Sequence, residues 1–518
     1  MKPVTRIVLL SGIAAAATFT GGQWNLPVAA WVGAVLTLHY YRATTRPVLD
    51  FFLLSALVGV VGAVAWNGVV PAVVTAPLPT AVIPVTGALI GMLVFVLDRW
   101  VHRRVGATTS ASLVFPVAWT AVDTLTTAST DIGTFGSQAY TQVGTPVIQL
   151  AALGGLPLVV FVVGWSASLA ALVWERWGAV PGPAWGAVAL VGLVVVGGLV
   201  RPVLGPAPGR VVQVAGVSLP NGAIADALAL DAASVEFAGV VASTHRHLVA
   251  EAERLAATGA ELIVFPEAAG FGTEADVASL RSGLAEVARR HDAWIVLPTL
   301  TVDTRPAANR VEVLDPRGGV VLSHVKYGGN AFEGSLRGDG RLAVVDTPFG
   351  RLSAVICWDA DFPEVIRQAG AQNVDLMVIP ANDWFEVRRI HAEMSIVRAI
   401  ENGMAVVRQT GSGVSLATDA FGRLHSRVDS FDATGRPPGE QQVALPVGAV
   451  PTLYPTVGTA VGLVTGAGVL VVLGWLLIVR RRTPGSSSEA EVAERGIPDQ
   501  VRDDGATVPG MTGPGFPG

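Results

Sequence analysis

The chain has 518 residues, of which 51% are hydrophobic and only 14% are charged, and its mean hydropathy is +0.53. Soluble domains carry about 25% charged residues, so this composition excludes a wholly soluble protein and indicates that much of the chain lies in lipid. The formal net charge of −5 says little about partners, because the distribution of charge matters more than its sum. We expect no nucleic-acid partner.

Apolar stretches alternate with short polar or Pro/Gly-rich turns from residue 7 to about residue 200. A helix needs about 20 apolar residues to cross the hydrocarbon core of a membrane. The pattern therefore predicts seven membrane helices and an eighth near the end of the chain. The first resembles a signal peptide, but further membrane segments follow at once, so we expect it to be retained. The predicted spans are 7–22, 25–40, 51–69, 80–97, 108–124, 146–173, 183–200 and 455–479.

Basic residues occupy every second loop between the predicted helices. Arg42, Arg99 and Arg176 lie in such loops, whereas loops 71–80 and 126–146 contain neither lysine nor arginine. Cytoplasmic loops of membrane proteins carry the excess of basic residues. The pattern therefore predicts a multi-pass protein of the cell membrane with both termini in the cytoplasm. Seven crossings would place the residues from about 201 to 450 outside the cell.

After a Pro/Gly-rich linker at 201–209, short predicted strands alternate with helices, which indicates a layered α/β domain. The tail is rich in glycine, proline, serine and acidic residues, a composition that predicts disorder. We therefore predict four parts of the chain: a polytopic membrane domain of about seven helices at 1–204, an extracytoplasmic α/β domain at 205–450, a C-terminal transmembrane helix at 451–480 and a disordered cytoplasmic tail at 481–518.

Three residues of complementary chemistry stand at predicted strand ends. Cys357 is the only cysteine of the chain, and Lys326 is one of only two lysines among 35 basic residues, the other being Lys2. A chain that otherwise uses arginine can need a compact ammonium at this one place. Glu267 follows the predicted strand 261–266. Sites in open α/β sheets gather beyond the carboxyl ends of strands, so we expect the three side chains to converge.

These residue types suit nucleophilic catalysis. The thiolate of Cys357 is the reactive form, Glu267 can take its proton, and Lys326 can stabilise an oxyanion on an attacked carbonyl. No histidine sits in a comparable place, so the sequence favours a Cys-Glu-Lys over a Cys-His arrangement. The competing interpretation is a buried structural cysteine, a coding bias against lysine and an ordinary glutamate at a strand end.

The segments around these residues resemble the nitrilase, or carbon–nitrogen hydrolase, superfamily. Membrane helices on both sides narrow the resemblance to the bacterial apolipoprotein N-acyltransferase family, whose Asn-Asp-x-Trp-Phe motif is similar to 382–385, although one residue shorter here. The resemblance implies a membrane α-helical bundle plus a nitrilase-like α-β-β-α sandwich inserted before the last transmembrane helix. The segments that carry it are 265–268, 324–327, 355–364, 380–385, 391–402 and 406–414, together with 136–142 and 147–155 in the membrane part.

Further implications of this resemblance concern chemistry and partners. It implies a Glu267-Lys326-Cys357 triad that works in a bacterial cell membrane without cofactor or metal. The triad would move an acyl chain from a membrane phospholipid, through a cysteine thioester, to the N-terminal amine of S-diacylglyceryl-cysteine in apolipoproteins. Two acidic residues near the triad, Glu333 and Asp359, would support it, and three aromatic residues would contact the acyl chain: Trp358, Trp384 and Phe385.

Two other functions stay open on the sequence alone. A membrane-tethered nitrilase-like amidase, or carbon–nitrogen hydrolase, would resolve the same thioester with water. An inactive membrane scaffold is suggested by loop 327–334, which departs from the family's usual Pro-Phe-Gly-Glu stretch. We expect no metal at His245 and His247 because residues two apart on a helix diverge, and we place both on a surface helix. Glu401 lies on a predicted helix and is expected to be solvated or to pack against another helix.

Overall fold

The computed structural model describes residues 2–69, 80–128, 130–205, 209–219, 223–431 and 439–481. Most of loop 71–80 and all but the first residue of the predicted tail lie outside these residues. The packing gives two units, Met1–Leu470 and the residues from Val471 onward. Helix Ala460–Arg481 passes from the first unit into the second. The predicted domain boundaries remain predictions.

Helices occur at all eight predicted spans. Five of them are long and apolar enough to cross a membrane by length and composition: 47–65, 82–105, 146–175 with its leading 3-10 turn, 182–204 and 460–478. Three are shorter, with 16, 17 and 15 residues. The first seven are α1 (Pro3–Thr18), α2 (Pro27–Ala43), α3 (Pro47–Ala65), α4 (Val82–Val105), α5 (Val114–Ala128), α6 (Ala151–Glu175) and α7 (Gly182–Leu204). A two-stranded antiparallel ribbon of β1 (Thr20–Gly21) and β2 (Trp24–Asn25) joins α1 to α2.

Two sheets form the centre of the α/β domain. In the first sheet the strand order is β15-β3-β4-β6-β7-β8, with β5 beside β6; in the second it is β14-β13-β12-β11-β10-β9. The first contains β3 (Arg210–Gly216), β4 (Leu262–Val264), β5 (Gly270–Gly272), β6 (Trp294–Thr301), β7 (Ala308–Leu314), β8 (Val320–Val325) and β15 (Gln441–Val447). The second contains β9 (Val345–Thr347), β10 (Gly350–Ala354), β11 (Leu376–Ala381), β12 (Ala405–Thr410), β13 (Val414–Thr418) and β14 (Leu424–Asp429).

The central strands are parallel and buried on both faces. β4, β11 and β12 contain only buried residues, which is typical of strands covered from both sides. Val264 and Val311 of the first sheet share one core with Leu352 and Val378 of the second. The two sheets therefore face each other across a common apolar layer.

Helices cover both outer faces of this pair of sheets. α9 (Val235–Ala257) and α10 (Glu274–His291) pack on the first sheet, and α12 (Pro363–Ala371) and α13 (Arg388–Asn402) pack on the second. The α/β domain is thus the α-β-β-α sandwich that the resemblance implied. The remaining α-helices of the described residues are the short α8 (Ala223–Leu228), α11 (Asn330–Glu333) and α14 (Tyr454–Val457), and the long α15 (Ala460–Arg481).

α13 has a second apolar face that contacts the membrane part. Met394, Val397 and Ile400 of α13 share a buried cluster with Val159 and Val163 of α6. The second helical layer therefore lies between a sheet and a membrane helix. The helices of the first layer pack on the first sheet in a cluster that consists of residues of the α/β domain.

The structure differs from the sequence predictions at several places. Cys357 was expected at a strand end, but β10 ends at Ala354 and a 3-10 turn begins at Cys357. β15 was not predicted; it pairs antiparallel with β3, which lies more than 200 residues earlier in the chain. His245 is buried, not on the helix surface, because its Nε2 hydrogen-bonds the carbonyl oxygen of Phe271 at 2.9 Å.

Candidate active site

Lys326 and Glu267 form a buried ion pair between the two sheets. Lys326 follows β8, and its fully buried Nζ donates to Glu267 Oε1 at 2.7 Å and to Glu333 Oε1 at 2.5 Å. Asn309 Nδ2 donates to the same Glu267 oxygen at 2.8 Å. The bonds from Lys326 and Asn309 fix the carboxylate of Glu267 beyond the end of β4. Glu267 is itself buried and Glu333 is partly exposed.

The ammonium and its carboxylates change each other's protonation. Burial by itself would lower the pKa of Lys326, but the charges of Glu267 and Glu333 raise it well above its ordinary value. Burial raises the pKa of Glu333, although the Lys326 ammonium acts against this shift. Lys326 is therefore a cation at physiological pH.

Cys357 begins a tight 3-10 turn, Cys357–Asp361, three residues after the buried end of β10 at Ala354. Its φ of 46° lies in the left-handed region, which non-glycine residues rarely adopt. Ala268, the residue after Glu267, has a φ of 56°. Such conformations cost about 1–3 kcal/mol each and tend to occur at functional sites. Two of the strained residues among those the structure describes thus lie at the nucleophile and beside its predicted base.

Asn382 connects the thiol to Glu267. The Sγ of Cys357 lies 3.7 Å from the carbonyl oxygen of Asn382, and the backbone N–H of Asn382 donates to Glu267 Oε2 at 3.1 Å. Burial first, and then the charge of Glu267, raise the pKa of the thiol well above its usual range, while Lys326 acts to lower it. Both members of the ion pair therefore act on the sulfur atom. The resting form of Cys357 is the thiol.

Asp359 joins the loop that carries Lys326 to the turn that carries Cys357. Its Oδ1 accepts the backbone N–H groups of Tyr327 and Gly328 at 2.8 and 2.7 Å. Its Oδ2 contacts His324 Nε2 at 2.8 Å and accepts the N–H of Ile356 at 2.9 Å. This carboxylate is fully buried, so it holds the two loops in register although it is shorter than glutamate.

A second group of charges lies on the other side of Cys357, and the sequence did not predict it. His391 Nδ1 contacts Asp383 Oδ1 at 2.9 Å, and its Nε2 lies 3.4 Å from Asp361 Oδ2. Arg408 Nη2 donates to Asp383 Oδ1 at 2.9 Å. A nitrogen of His391, an oxygen of Asp383 and the Sγ of Cys357 all lie within 4.8 Å of one another. The sequence did not indicate this histidine, because His391 lies on α13 and not at a strand end.

The charge state of this cluster follows from its burial and its pairing. Burial by itself would lower the pKa of His391, but Asp361 and Asp383 raise it to about 9. Burial likewise opposes ionisation of Asp383, yet Arg408 and His391 hold its pKa below the ordinary value. At neutral pH, His391 is thus an imidazolium with a carboxylate facing each ring nitrogen. It has no free lone pair with which to act as a base toward Cys357.

Cys357, Asp383 and His391 are also residue types that bind transition metals. In this cluster, however, both ring nitrogens of His391 already face carboxylates, and the Arg408 guanidinium occupies Asp383 Oδ1. The Lys326 ammonium acts on the same sulfur. Neighbouring cations disfavour a further positive ion, so we interpret the group as an ion-pair cluster.

Arg398 links the Cys357 turn to the membrane part of the chain. Its buried guanidinium donates to the carbonyl oxygen of Ala360 at 2.6 Å, to Thr134 Oγ1 at 2.6 Å and to the Tyr140 hydroxyl at 2.7 Å, and it pairs with Glu401. The backbone N–H of Thr134 also donates to the carbonyl oxygen of Asp361 at 2.9 Å. Thr134 and Tyr140 belong to the loop between α5 and α6. Glu401 is buried at a helix contact, one of its two expected environments.

The three predicted aromatic contacts have different environments. Trp358 is buried, its ring 5.6 Å from that of Phe332 and 6.1 Å from that of His391. Trp384 lies 6.2 Å from His391, and its Nε1 donates to the carbonyl oxygen of Gly68 at the end of α3. Phe385 is 52% exposed. A cavity of about 270 Å³ lies beside it, with a lining that consists of Gln23, Trp24, Phe385, Glu386, Arg388, Arg389, Arg427 and Asp429.

Sequence reasoning thus named one of the two ion clusters. It found Glu267, Lys326 and Cys357 because each stands near a strand end. It missed Asp361, Asp383, His391, Arg398 and Arg408, although all five lie in segments that carried the resemblance. The one signal available was the presence of several charged residues in otherwise apolar segments.

Comparison with known proteins separates the two parts of the chain. Residues 11–169 match the family described as "Apolipoprotein N-acyltransferase N-terminal domain", and residues 233–435 match the family described as "Carbon-nitrogen hydrolase". The chain is thus similar to the apolipoprotein N-acyltransferase family in its membrane part and to the carbon–nitrogen hydrolase family in its α/β domain. Its α/β domain is nitrilase-like, and the match to the N-terminal domain of the acyltransferase family, with the long apolar helices, makes it a membrane protein.

Individual relatives match smaller segments. An apolipoprotein N-acyltransferase of Azotobacter vinelandii is 30% identical over 151 residues, which are 27% of this chain and 27% of that protein. A deaminated glutathione amidase of Yersinia enterocolitica is 24% identical over 200 residues, 33% of this chain and 70% of that protein. The chain spans about a quarter of the length of the N-acyltransferase relatives that it matches. A solved amidase of Nesterenkonia sp. gives a TM-score of 0.37 at 22% identity, over 47% of this chain and 93% of that one.

Proposed function

We propose that this protein is an N-acyltransferase of lipoprotein maturation. It moves a fatty acyl chain from a membrane phospholipid to Cys357, and then to the α-amino group of S-diacylglyceryl-cysteine at the N-terminus of an apolipoprotein. The α/β domain lies outside the bacterial cell membrane and both termini lie in the cytoplasm, as the distribution of basic residues in the loops indicates.

The observation that carries this proposal is the attachment of the nucleophile's turn to the membrane part. Arg398 bonds the carbonyl of Ala360 and, with the same guanidinium, Thr134 and Tyr140. Trp384 adds a bond to the end of α3. Two lipid-anchored substrates reach such a site by diffusion in the membrane, which raises their effective concentration. The attachment of the site to the membrane part would not raise the effective concentration of a soluble amide.

In the first half-reaction, Glu267 takes the proton from the thiol of Cys357. The thiolate attacks the ester carbonyl of the phospholipid, a C–S bond forms, and the carbonyl electrons move to oxygen. The Lys326 ammonium stabilises this oxyanion. The ester C–O bond then breaks, and the departing alkoxide of the lysophospholipid takes the proton from Glu267. A thioester on Cys357 remains.

In the second half-reaction, the neutral amine of the apolipoprotein attacks the thioester carbonyl. A C–N bond forms, the nitrogen gives a proton to Glu267, and Lys326 again stabilises the oxyanion. The C–S bond breaks, the sulfur leaves as a thiolate, and Glu267 returns the proton to it. Atoms and charges balance over the cycle, because one ester and one amine become one alcohol and one amide.

Mass spectrometry of lipoprotein N-termini tests this proposal. Cells that carry the wild-type protein should contain N-acylated lipoproteins, and cells with Cys357→Ala should contain only the diacylated form. Because Cys357 is the only cysteine, the wild-type protein treated with phospholipid should also carry one acyl group, at that residue. Normal N-acylation in the Cys357→Ala cells would rule out the assigned nucleophile, and a protein that never takes up an acyl group would be the inactive scaffold.

A membrane-tethered amidase is the second candidate, because the chain covers 70% of the length of an amidase relative. The same triad would serve it, with water in place of the amine. The two candidates differ in the product. Purified full-length protein supplied with phospholipid and a diacylglyceryl peptide should form the N-acyl peptide, whereas an amidase would turn over small amides and leave the peptide unchanged.

A further inference from the structure

His391 touches both loops that surround the thiol. Through Nε2 it faces Asp361, the last residue of the 3-10 turn that begins at Cys357. Through Nδ1 it contacts Asp383, which follows Asn382, the residue between Sγ and Glu267. One imidazole ring therefore ties the nucleophile's turn to the segment that aligns the thiol with the carboxylate of Glu267.

The surroundings of the ring fix both its position and its charge. Its centroid lies 5.4 to 6.2 Å from the centroids of Phe135, Trp358 and Trp384, and the ring is 5% exposed. The charged groups that face it are two carboxylates, Asp361 and Asp383; Arg408 and Arg398 lie behind these, on β12 and on α13 itself. Nδ1 has a hydrogen-bond acceptor in Asp383, and Nε2, which makes no hydrogen bond, faces the Asp361 carboxylate at 3.4 Å. Two carboxylates at these distances favour the doubly protonated, positively charged ring.

A positive charge close to sulfur favours the thiolate over the thiol. A nitrogen of His391 lies within 4.8 Å of Sγ, and the only charges of the triad that act on the same sulfur are one carboxylate and one ammonium, which oppose each other. Arg408 and the imidazolium together balance the two carboxylates, Asp361 and Asp383. Without the charge of His391, one of these negative charges would be left uncompensated beside the thiol and would oppose its ionisation.

We propose that His391 is a positioning residue of the acyl-transfer site, which holds the Cys357 turn and the Asn382 segment together and supplies positive charge that favours the thiolate of Cys357. For acyl transfer, this inference rests on the proposed function. There the charge would help the thiolate form before it attacks the ester and would help it leave when the amine attacks the thioester. The reactivity of the resting thiol can be measured whether or not that function is correct.

Two substitutions separate the charge from the bonds. His391→Asn keeps an amide donor near the position of Nδ1 and can still reach Asp383, and His391→Gln keeps one near Nε2 and can still reach Asp361. Both remove the positive charge. The full-length protein in detergent, without acyl donor, is treated with iodoacetamide from pH 6 to 10, and the rate of alkylation of the single cysteine is measured.

We expect both variants to shift the alkylation profile upward by about one pH unit or more. At pH 7.5 the alkylation should be about tenfold slower or more, since the thiolate is the species that reacts. An unshifted profile in both variants would overturn the proposal. A shift in only one variant would also overturn the proposed role of the charge, because both variants lack that charge. The bond to a single carboxylate would then control the ionisation of the thiol.

Two controls keep the outcome decisive. His245→Gln removes another buried histidine, on α9, and should leave the alkylation profile of Cys357 unchanged. Should both His391 variants fail to fold, the wild-type profile still decides. If the charge of His391 favours the thiolate, deprotonation of His391 raises the pKa of Cys357. The thiol must then titrate over a broader pH range than a single independent group. A wild-type profile with the slope of one independent ionisation would contradict the proposal.

An unaltered thiol profile and a failure of lipoprotein N-acylation are distinguishable results. The first would remove His391 from its role while N-acylation in cells continued. The second would remove the acyltransferase function while the shifted profile of the His391 variants remained.

Discussion

The two helical layers of the sandwich differ in the charge of the polar side chains that they bury. α9, in the layer on the first sheet, buries one neutral histidine: burial lowers the pKa of His245, whose ring bonds a backbone carbonyl. α13, between the second sheet and α6, buries the charged side chains of His391, Arg398 and Glu401. One architecture thus carries a solvent-facing helix on one side and, on the other, a largely buried helix with charged residues in its interior.

This difference follows from what lies beyond each helix. The ion pairs of α9 are exposed; for example, Arg254 pairs with Glu251 and Glu440 while its side chain is 43% exposed. Arg398 of α13 is 0% exposed and finds two of its acceptors in the loop between α5 and α6. Water can replace a partner of Arg254, whereas nothing but the membrane part can supply these partners of Arg398. Four predictions test this contrast.

The largest expected effect is on stability, from removal of a buried guanidinium. Arg398→Met should destabilise the protein by about 3–5 kcal/mol, because Glu401 and the carbonyl of Ala360 would lose a buried partner. Arg254→Met, the matched change in α9, should cost about 1 kcal/mol or less. Melting curves of the detergent-solubilised proteins would measure both. Equal losses would show that the two layers do not differ as described.

The second prediction concerns the two cations beside the thiol. Lys326 sits in a closed space with carboxylates at 2.7 and 2.5 Å, so the larger, planar guanidinium of Lys326→Arg should misplace the charge. N-acylation in membranes should fall by about 10²–10³-fold. Arg408→Lys keeps a donor for Asp383 and should lose far less. A fully active Lys326→Arg protein would show that the lysine reflects coding bias only.

The third prediction uses the opposite electrostatics of the two buried histidines. The pKa of His391 rises from 6.5 to about 9 on folding, so its contribution, about 3 kcal/mol, is present below pH 6.5 and is lost as the pH rises through 9. The pKa of His245 is lowered, so its contribution is present above pH 6.5 and is lost as the pH falls. The melting temperatures of wild type, His391→Asn and His245→Gln would be measured from pH 5 to 10. The difference between wild type and His391→Asn should fall as the pH rises, and the difference between wild type and His245→Gln should grow.

The smallest effect should come from one hydroxyl. Tyr140→Phe removes one acceptor of the Arg398 guanidinium, 2.7 Å away, and should destabilise the protein by about 1.5–3 kcal/mol. Thr258→Val removes an exposed hydroxyl at the end of α9 that donates to the carbonyl of Leu255. Water can satisfy that carbonyl, so the change should cost about 1 kcal/mol or less. Equal melting temperatures of the two variants would mean that the bond from Arg398 to the membrane part contributes little.

Several features of this protein could be predicted from local sequence alone. Hydrophobic runs predicted the membrane helices, because a span must satisfy its backbone within itself and so leaves a continuous apolar segment. The alternation of strands and helices predicted the layered α/β domain. Glu267, Lys326 and Cys357 could be named together, because the end of each strand is visible in the sequence and the ends of neighbouring strands meet.

Only the tertiary structure decided which charges lie together. Arg398 and Thr134 are 264 residues apart, and Asp361 meets His391 across a turn and a helix. In the sequence, such residues look like the solvated face of a helix, since burial of a charge is recognisable only from the partners that compensate it. The left-handed φ of Cys357 was hidden for the same reason. It is held by packing around the turn and by Asp359 and Arg398, and not by the identity of the residue itself.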